Sequence, residues 1–114
     1  MSNRQAQLRT MMAEQGGRCF FCRAAFRATG GQRPTIDHLE PLWLFGRYGR
    51  KAAVCHDCNR KKGPLDAETF ARVRFSPEAL QKAKRRAMVA AHLYSGHFTL
   101  RRLPEMVAIV MEDE

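Results

Sequence analysis

The sequence is short of acidic residues. Asp and Glu together number 11 against 20 Lys and Arg, so the 114 residues carry a formal net charge of +9. Fifteen of the basic residues are arginine, whose planar guanidinium suits bidentate contact with phosphate. This surplus favours a polyanionic partner, either a nucleic acid or a membrane surface, while a charged face kept for solubility is the alternative.

Long apolar runs are also absent. No run approaches the roughly 20 residues that a membrane-spanning helix needs, and the first five residues lack the apolar core of a signal peptide. We therefore expect a cytoplasmic protein without a membrane partner. Internal repeats and low-complexity tracts are missing too, and with 45% hydrophobic residues this predicts one folded domain over residues 1–114.

Four cysteines are present, in two Cys-x-x-Cys pairs: Cys19 with Cys22, and Cys55 with Cys58. Cytosolic thiols stay reduced, so the pairs favour a metal over disulfides, which remain the alternative. Two intervening residues let both sulfurs of a pair reach one ion at about 2.3 Å. The spacing predicts a tetrahedral structural zinc site. His56 lies inside the second pair and is a further possible ligand, although four thiolates already complete the shell.

The local patterns predict an α+β fold. Periodicity and turn residues predict helices over 3–15 and 58–62, a strand from 34 to 37 that runs into His38, and a second strand over 52–54. Gly16–Gly17 and Gly63–Pro64 are typical of helix ends.

Two further helices are predicted after residue 65. Asp66 is suited to cap a helix that continues to about Val73. Ser76 followed by Pro77 predicts the start of a longer helix that ends before Gly96. Residues 98–111 are compatible either with a strand followed by a helix or with one extended segment.

A second group of polar residues flanks the cysteine pairs. Asp37 and Asn59 offer oxygen ligands, which hard ions such as Mg²⁺ or Mn²⁺ prefer. His38 could accept a proton from water, as histidine side chains commonly do at physiological pH. A structural histidine is the ordinary interpretation of His38 alone, but the combination with both cysteine pairs favours a catalytic site.

Three segments together resemble the HNH endonucleases, in the zinc-containing branch with four cysteines: residues 17–22, 37–41 and 55–63. The resemblance covers roughly residues 5–65. It implies a small zinc-stapled ββα-metal (His-Me finger) core over about 5–65, flanked by an N-terminal helix and by a helical C-terminal extension over about 66–114.

The resemblance also implies roles for individual residues. His38 would be the general base, and Asp37 and Asn59 would hold one catalytic Mg²⁺ or Mn²⁺, while the four cysteines hold structural zinc. Lys62 would contact a phosphate near the scissile bond. The implied reaction is hydrolysis of DNA phosphodiester bonds to 5′ phosphate and 3′ hydroxyl products. One position departs from the family pattern, because Arg50 stands where an asparagine is common.

The predicted partner is nucleic acid, most readily double-stranded DNA. The basic residues nearest the motifs are the candidates for this contact: Arg50, Lys51, Arg60, Lys61 and Lys62. A second basic cluster over 82–86 either lies along a phosphate backbone or forms a solvated face. Two alternatives to a nuclease stand: a zinc module that binds nucleic acid without cutting it, and a protein-interaction zinc domain of the RING sort, which needs more than four paired ligands.

Overall fold

The structure, a computed structural model, describes residues 2–40 and 49–95 of the chain. These residues form a small α+β fold with one two-stranded sheet and four helices. In chain order the elements are α1 (Asn3–Glu14), β1 (Pro34–His38), β2 (Lys51–Cys55), α2 (His56–Lys62), α3 (Ala67–Val73) and α4 (Pro77–Ser95). The predictions for residues 98–111 and for the helix stop at Gly96 lie outside the described residues.

Helix α1 forms where it was predicted, and both of its ends have a local cause. The Ser2 hydroxyl accepts the Gln5 N–H at 3.1 Å, and the Gln5 side chain accepts the Ser2 N–H at 3.1 Å, which is a capping box. After the helix, Gly16 and Gly17 have φ values of +67° and +73°, which glycine adopts without steric cost. No residue of α1 is fully buried, so the helix lies on the outside of the fold.

Strands β1 and β2 pair antiparallel, and both predicted strands are confirmed. Thr35 lies opposite Val54, and Asp37 lies opposite Ala52. The outer edge of β2 is covered by a side chain from the end of α1. The Gln15 amide donates to the Ala53 carbonyl at 2.8 Å and accepts the Ala53 N–H at 2.9 Å. The side chain thereby satisfies backbone groups that an edge strand would leave open.

Helix α2 begins two residues earlier than the predicted Cys58. Cys55 is its N-cap, because the Cys55 sulfur accepts the Cys58 N–H at 3.4 Å and the chain is helical from His56 onward. A cysteine sulfur can therefore cap a helix. Because cysteine is not among the usual N-cap residues Ser, Thr, Asp and Asn, the predicted start of α2 was too late. The predicted stop is confirmed, since α2 ends at Lys62 and Gly63 has φ +53°.

The core lies between the sheet, the cysteine pairs and the last two helices. Its largest fully buried side chain is Phe70 of α3, which meets the Phe21 ring edge-on with centroids 4.9 Å apart. Leu80 of α4 and Val54 of β2 belong to the same cluster. None of the four helices in the described part of the chain combines the length and the apolarity that a bilayer crossing requires.

Both predicted caps of the last two helices are confirmed. The Asp66 carboxylate accepts the Thr69 N–H at 3.0 Å, and the Ser76 hydroxyl accepts the Ala79 N–H at 3.3 Å. Burial tends to raise the pKa of Asp66, but the hydrogen bonds from Thr69 outweigh it and lower the pKa below its ordinary value.

Replacing Asp66 by alanine should lower the free energy of unfolding by about 1 kcal/mol at pH 7, because an N–H group of α3 loses its acceptor. A carboxylate with a lowered pKa stabilises the fold above its ordinary pKa, and this contribution is lost as the pH falls through the folded-state value. Urea denaturation should therefore show a difference that shrinks below about pH 4. Asp66→Asn keeps the acceptor oxygen and should match the wild type. An equal loss in both variants would contradict the capping role.

Candidate metal centre and adjoining cleft

The four cysteines converge at one point. Their sulfur atoms all lie within 4.8 Å of one another, and the sulfurs of Cys22 and Cys55 are 3.9 Å apart. A tetrahedral zinc ion with bonds of about 2.3 Å sets its sulfur ligands about 3.8 Å apart, whereas a disulfide needs about 2.05 Å. The group is therefore placed to bind a metal ion, and its spacing is consistent with structural zinc.

Backbone N–H groups surround the sulfurs. Cys19 accepts the Cys55 N–H at 3.4 Å. Burial tends to raise the pKa of Cys19, but hydrogen bonds from backbone groups of Cys55, Cys22 and Phe21 bring it down to about 7. Burial raises the pKa of Cys55 and of Cys58, and the charge of Cys19 raises both further. Four thiolates in this space thus require a cation, so metal binding should release protons.

His56 does not join the cysteine group. Its Nδ1 lies 3.1 Å from Nη2 of Arg33, and its backbone N–H donates to the Arg33 carbonyl at 3.0 Å. The next residue, Asp57, donates its N–H to the Gly31 carbonyl at 3.0 Å. The two backbone hydrogen bonds hold the loop before β1 against the second cysteine pair.

A cleft of about 520 Å³ adjoins the metal centre and contains all three residues predicted to be catalytic. Its lining comes from α1, β1, α2 and the segments just after β1 and α2: Arg4, Ile36, Asp37, His38, Glu40, Asn59, Lys62, Gly63, Pro64 and Leu65. The fold thus gathers residues 22 positions apart in the chain into one concave site.

Helix α2 docks on the face of β1 that carries Thr35 and Asp37. Asn59 contacts Thr35 and Lys62 contacts Asp37, so the helix runs in the same direction as the strand. Two residues along a strand span about 6.6 Å, and three along a helix rise about 4.5 Å, so the two pairs can form together. Cys55 and Cys58, at the start of α2, both belong to the four-cysteine group, which we call the cysteine staple. The cysteine staple therefore helps to set the position of α2 on β1.

Lys62 points into the protein rather than toward solvent. Lys62 is 2% exposed and Asp37 is 8% exposed, and the Lys62 ammonium lies 3.2 Å from Asp37 Oδ2. The ammonium donates its hydrogen bond to the His38 carbonyl at 3.0 Å. Among the described residues Asp37 Oδ2 has no other polar partner, so the Lys62 ammonium is its one close contact there. Burial raises the pKa of Asp37, and the charge of Lys62 opposes the increase.

Asn59 and His38 differ in how firmly they are held. The Asn59 amide donates to the Thr35 hydroxyl at 2.9 Å, and that hydroxyl donates to the Val54 carbonyl at 2.6 Å. His38 is half-buried, and no residue within 2–40 or 49–95 hydrogen-bonds its ring. His38 thus lines the cleft without a hydrogen bond to its ring from the described residues.

Arg50 connects the ends of the two strands. Its backbone N–H and its Nε both donate to the Glu40 carboxylate, at 2.6 and 2.5 Å, and its carbonyl accepts the Leu39 N–H at 2.7 Å. These hydrogen bonds, from the guanidinium first, lower the pKa of Glu40. Arg50, which stands where the HNH pattern commonly has asparagine, thus holds the segment just after His38 through the Glu40 carboxylate.

The remaining basic candidates are at the surface. Lys51, Arg60 and Lys61 are exposed, as is the Arg50 side chain. Arg4 of α1 also lines the cleft, and sequence reasoning missed it. No spacing relates Arg4 to the motifs, and only the packing of α1 beside the sheet brings it there.

Comparison with protein-family models, with curated proteins and with solved structures found no match to this chain.

Proposed function

We propose that this protein is a metal-dependent endonuclease of the HNH type, which hydrolyses DNA phosphodiester bonds with His38 as general base. The observation that carries the proposal is one cleft that contains Asp37, His38 and Asn59 beside a four-cysteine metal group. The order of two antiparallel strands and a helix supports a ββα-metal core.

The donor set of the cleft fits a hard divalent ion. Asp37 Oδ2 is a buried carboxylate oxygen whose one polar partner in the described part of the protein is the Lys62 ammonium, and Asn59 supplies an amide oxygen. Oxygen donors of this kind suit Mg²⁺ or Mn²⁺ better than a softer ion. When bound, such an ion supplies charge stabilisation for the phosphate and for the leaving oxygen.

His38 supplies the proton transfer. One of its ring nitrogens takes a proton from water, the water oxygen attacks phosphorus, and the bond from phosphorus to the 3′ oxygen breaks. The leaving 3′ oxygen takes a proton from solvent water, and His38 later returns its proton to solvent, so the products carry a 5′ phosphate and a 3′ hydroxyl. The Lys62 hydrogen bond to the His38 carbonyl and the Arg50–Glu40 contact hold the backbone at His38 and just after it.

The substrate follows from charge. The net charge of +9 and the exposed side chains of Arg50, Lys51, Arg60 and Lys61 suit a phosphate backbone, most readily that of duplex DNA. Arg4 adds a cation at the cleft itself. We place the protein in the cytoplasm, where reduced thiols remain available to a metal.

Replacing His38 by alanine should lower the rate of plasmid nicking by 10²- to 10⁴-fold, since removing a general base has effects of about this size. The measurement is conversion of supercoiled plasmid to the nicked form with Mg²⁺ or Mn²⁺. His56→Ala is the matched control, because that ring contacts Arg33 outside the cleft. Zinc content and circular dichroism should be the same in all three proteins. Equal cutting by His38→Ala and wild type would remove the proposed base.

A second candidate is a zinc module that binds nucleic acid without cutting it. The observation in its favour is the Lys62 ammonium 3.2 Å from Asp37 Oδ2, since a divalent ion must compete with this internal cation. Binding of duplex DNA that weakens steeply with salt, with no cutting in any divalent ion, would favour this candidate over the nuclease.

A further inference from the structure

Thr35 joins the helix that carries Asn59 to the strand that ends in a cysteine ligand. We propose that Thr35 is a positioning residue, which sets the Asn59 amide so that its oxygen, rather than its nitrogen, faces the cleft. The inference rests on the proposed function in one respect, namely that the Asn59 oxygen binds a divalent cation. It assigns a task to a hydroxyl that the sequence motifs do not include.

The direction of each hydrogen bond follows from what each group can do. The Val54 carbonyl is only an acceptor, so Thr35 must give it the single hydroxyl proton, over 2.6 Å. The Thr35 oxygen can then only accept, and the partner 2.9 Å away must be the NH₂ group of Asn59. With its nitrogen held on Thr35, Asn59 leaves its oxygen as the free end of the amide.

The anchor of this relay is rigid. Val54 is fully buried, lies directly opposite Thr35 in the sheet, and precedes the metal-group residue Cys55. Asn59 itself follows Cys58, so both ends of the relay are tied to the cysteine staple. An amide without this partner has two orientations related by a half turn, and only one of them presents oxygen. Outer residues that orient a metal ligand are commonly worth 10- to 100-fold in metal affinity.

The test is Mn²⁺ binding to the zinc-loaded protein, followed by the electron paramagnetic resonance signal of free Mn²⁺. Thr35→Val keeps the shape of the side chain and removes the hydroxyl, and it should weaken Mn²⁺ binding by about 10- to 100-fold. Thr35→Ser restores the hydroxyl and should restore the affinity. Thr10→Val is the control, because the Thr10 hydroxyl donates to the Ala6 carbonyl within α1, outside the cleft.

A double-mutant cycle separates positioning from a general loss of structure. In an Asn59→Ala background, Thr35→Val should cause no further loss of Mn²⁺ affinity, because the ligand it orients is gone. Zinc content and thermal unfolding report whether each variant is folded. In the wild type and in Thr35→Ser, the Asn59 side-chain NH₂ should exchange slowly with solvent in NMR spectra, and in Thr35→Val it should exchange fast.

The outcomes distinguish this inference from the proposed function. If wild type and folded Thr35→Val bind Mn²⁺ with the same affinity, the positioning role is overturned and the nuclease proposal stands. Equal loss in Thr35→Ser and Thr35→Val also overturns it. Wild type that binds no Mn²⁺ overturns both. Three results together support the inference. Thr35→Val binds Mn²⁺ more weakly than wild type, Thr35→Ser binds it as tightly as wild type, and Thr35→Val has no further effect in the Asn59→Ala background.

Discussion

Removing the metal from the four-cysteine group should unfold the protein. Cys19, Cys55 and Cys58 are buried in the same core cluster as Phe70, so the metal site and the apolar core are one structure. Apparent zinc-binding free energies of small zinc domains are about 10–16 kcal/mol, and the whole stability of a domain is about 5–15 kcal/mol. The free energy of zinc binding is thus about as large as the net free energy of unfolding of a whole domain.

Circular dichroism measured during titration with a chelator tests this expectation. The helical signal should fall as zinc is extracted, and added Zn²⁺ should restore it while Mg²⁺ should not. Cys22→Ser is a companion variant, because Cys22 is only half-buried and its loss leaves the core volume nearly intact. That variant should hold less than one zinc per chain and unfold more easily. An unchanged spectrum after complete zinc removal would show that the staple is not needed.

Replacing Lys62 by methionine should destabilise the fold by about 3–5 kcal/mol at neutral pH. The substitution preserves the length of the side chain but leaves the Asp37 carboxylate buried without its cation, which is the costly way to break a buried pair. The pKa of Asp37 is raised by burial, and losing Lys62 should raise it further. A folded protein that contains a carboxyl group with a raised pKa loses stability as the pH increases. The free energies of unfolding of the variant and the wild type should therefore be most similar near pH 4.

Urea denaturation at pH 4 and at pH 7.5, without added divalent ions, measures both effects. The double variant Asp37→Asn with Lys62→Met is the control, since it removes the charge together with its partner and should recover much of the lost stability. Lys61→Met is a second control, because Lys61 is exposed and lies in the same helix. If Lys62→Met and Lys61→Met had equal stability, the buried pair would not contribute to the fold.

Much of the fold was predictable because its signals are local. The cap at Ser76 with Pro77, the Asp66 cap and the Gly16–Gly17 stop each depend on residues within one turn of the helix they bound. The start of α2 was missed by two residues, because the cap there is a cysteine whose sulfur also belongs to the metal group. A sequence pattern does not show that one atom serves both purposes.

The direction in which Lys62 points could not be predicted from the helix alone. Arg60, Lys61 and Lys62 form one basic run, and a basic last turn is favourable in any solvated helix. Two of the three side chains are exposed and the third is buried, because α2 lies along β1 with Asn59 on Thr35 and Lys62 on Asp37. Only the docked pair of elements contains this information.

The amino-acid sequence by itself determined the spacing of the four cysteines, the strands that flank them and the ends of most helices, because sterics and hydrogen bonds within a few residues decide these features. The tertiary structure alone decided which side chains share the cleft, that Lys62 faces Asp37, and that Thr35 holds the Asn59 amide. These contacts join residues 24 or 25 positions apart in the chain, and they exist only once the cysteines bring α2 onto the sheet.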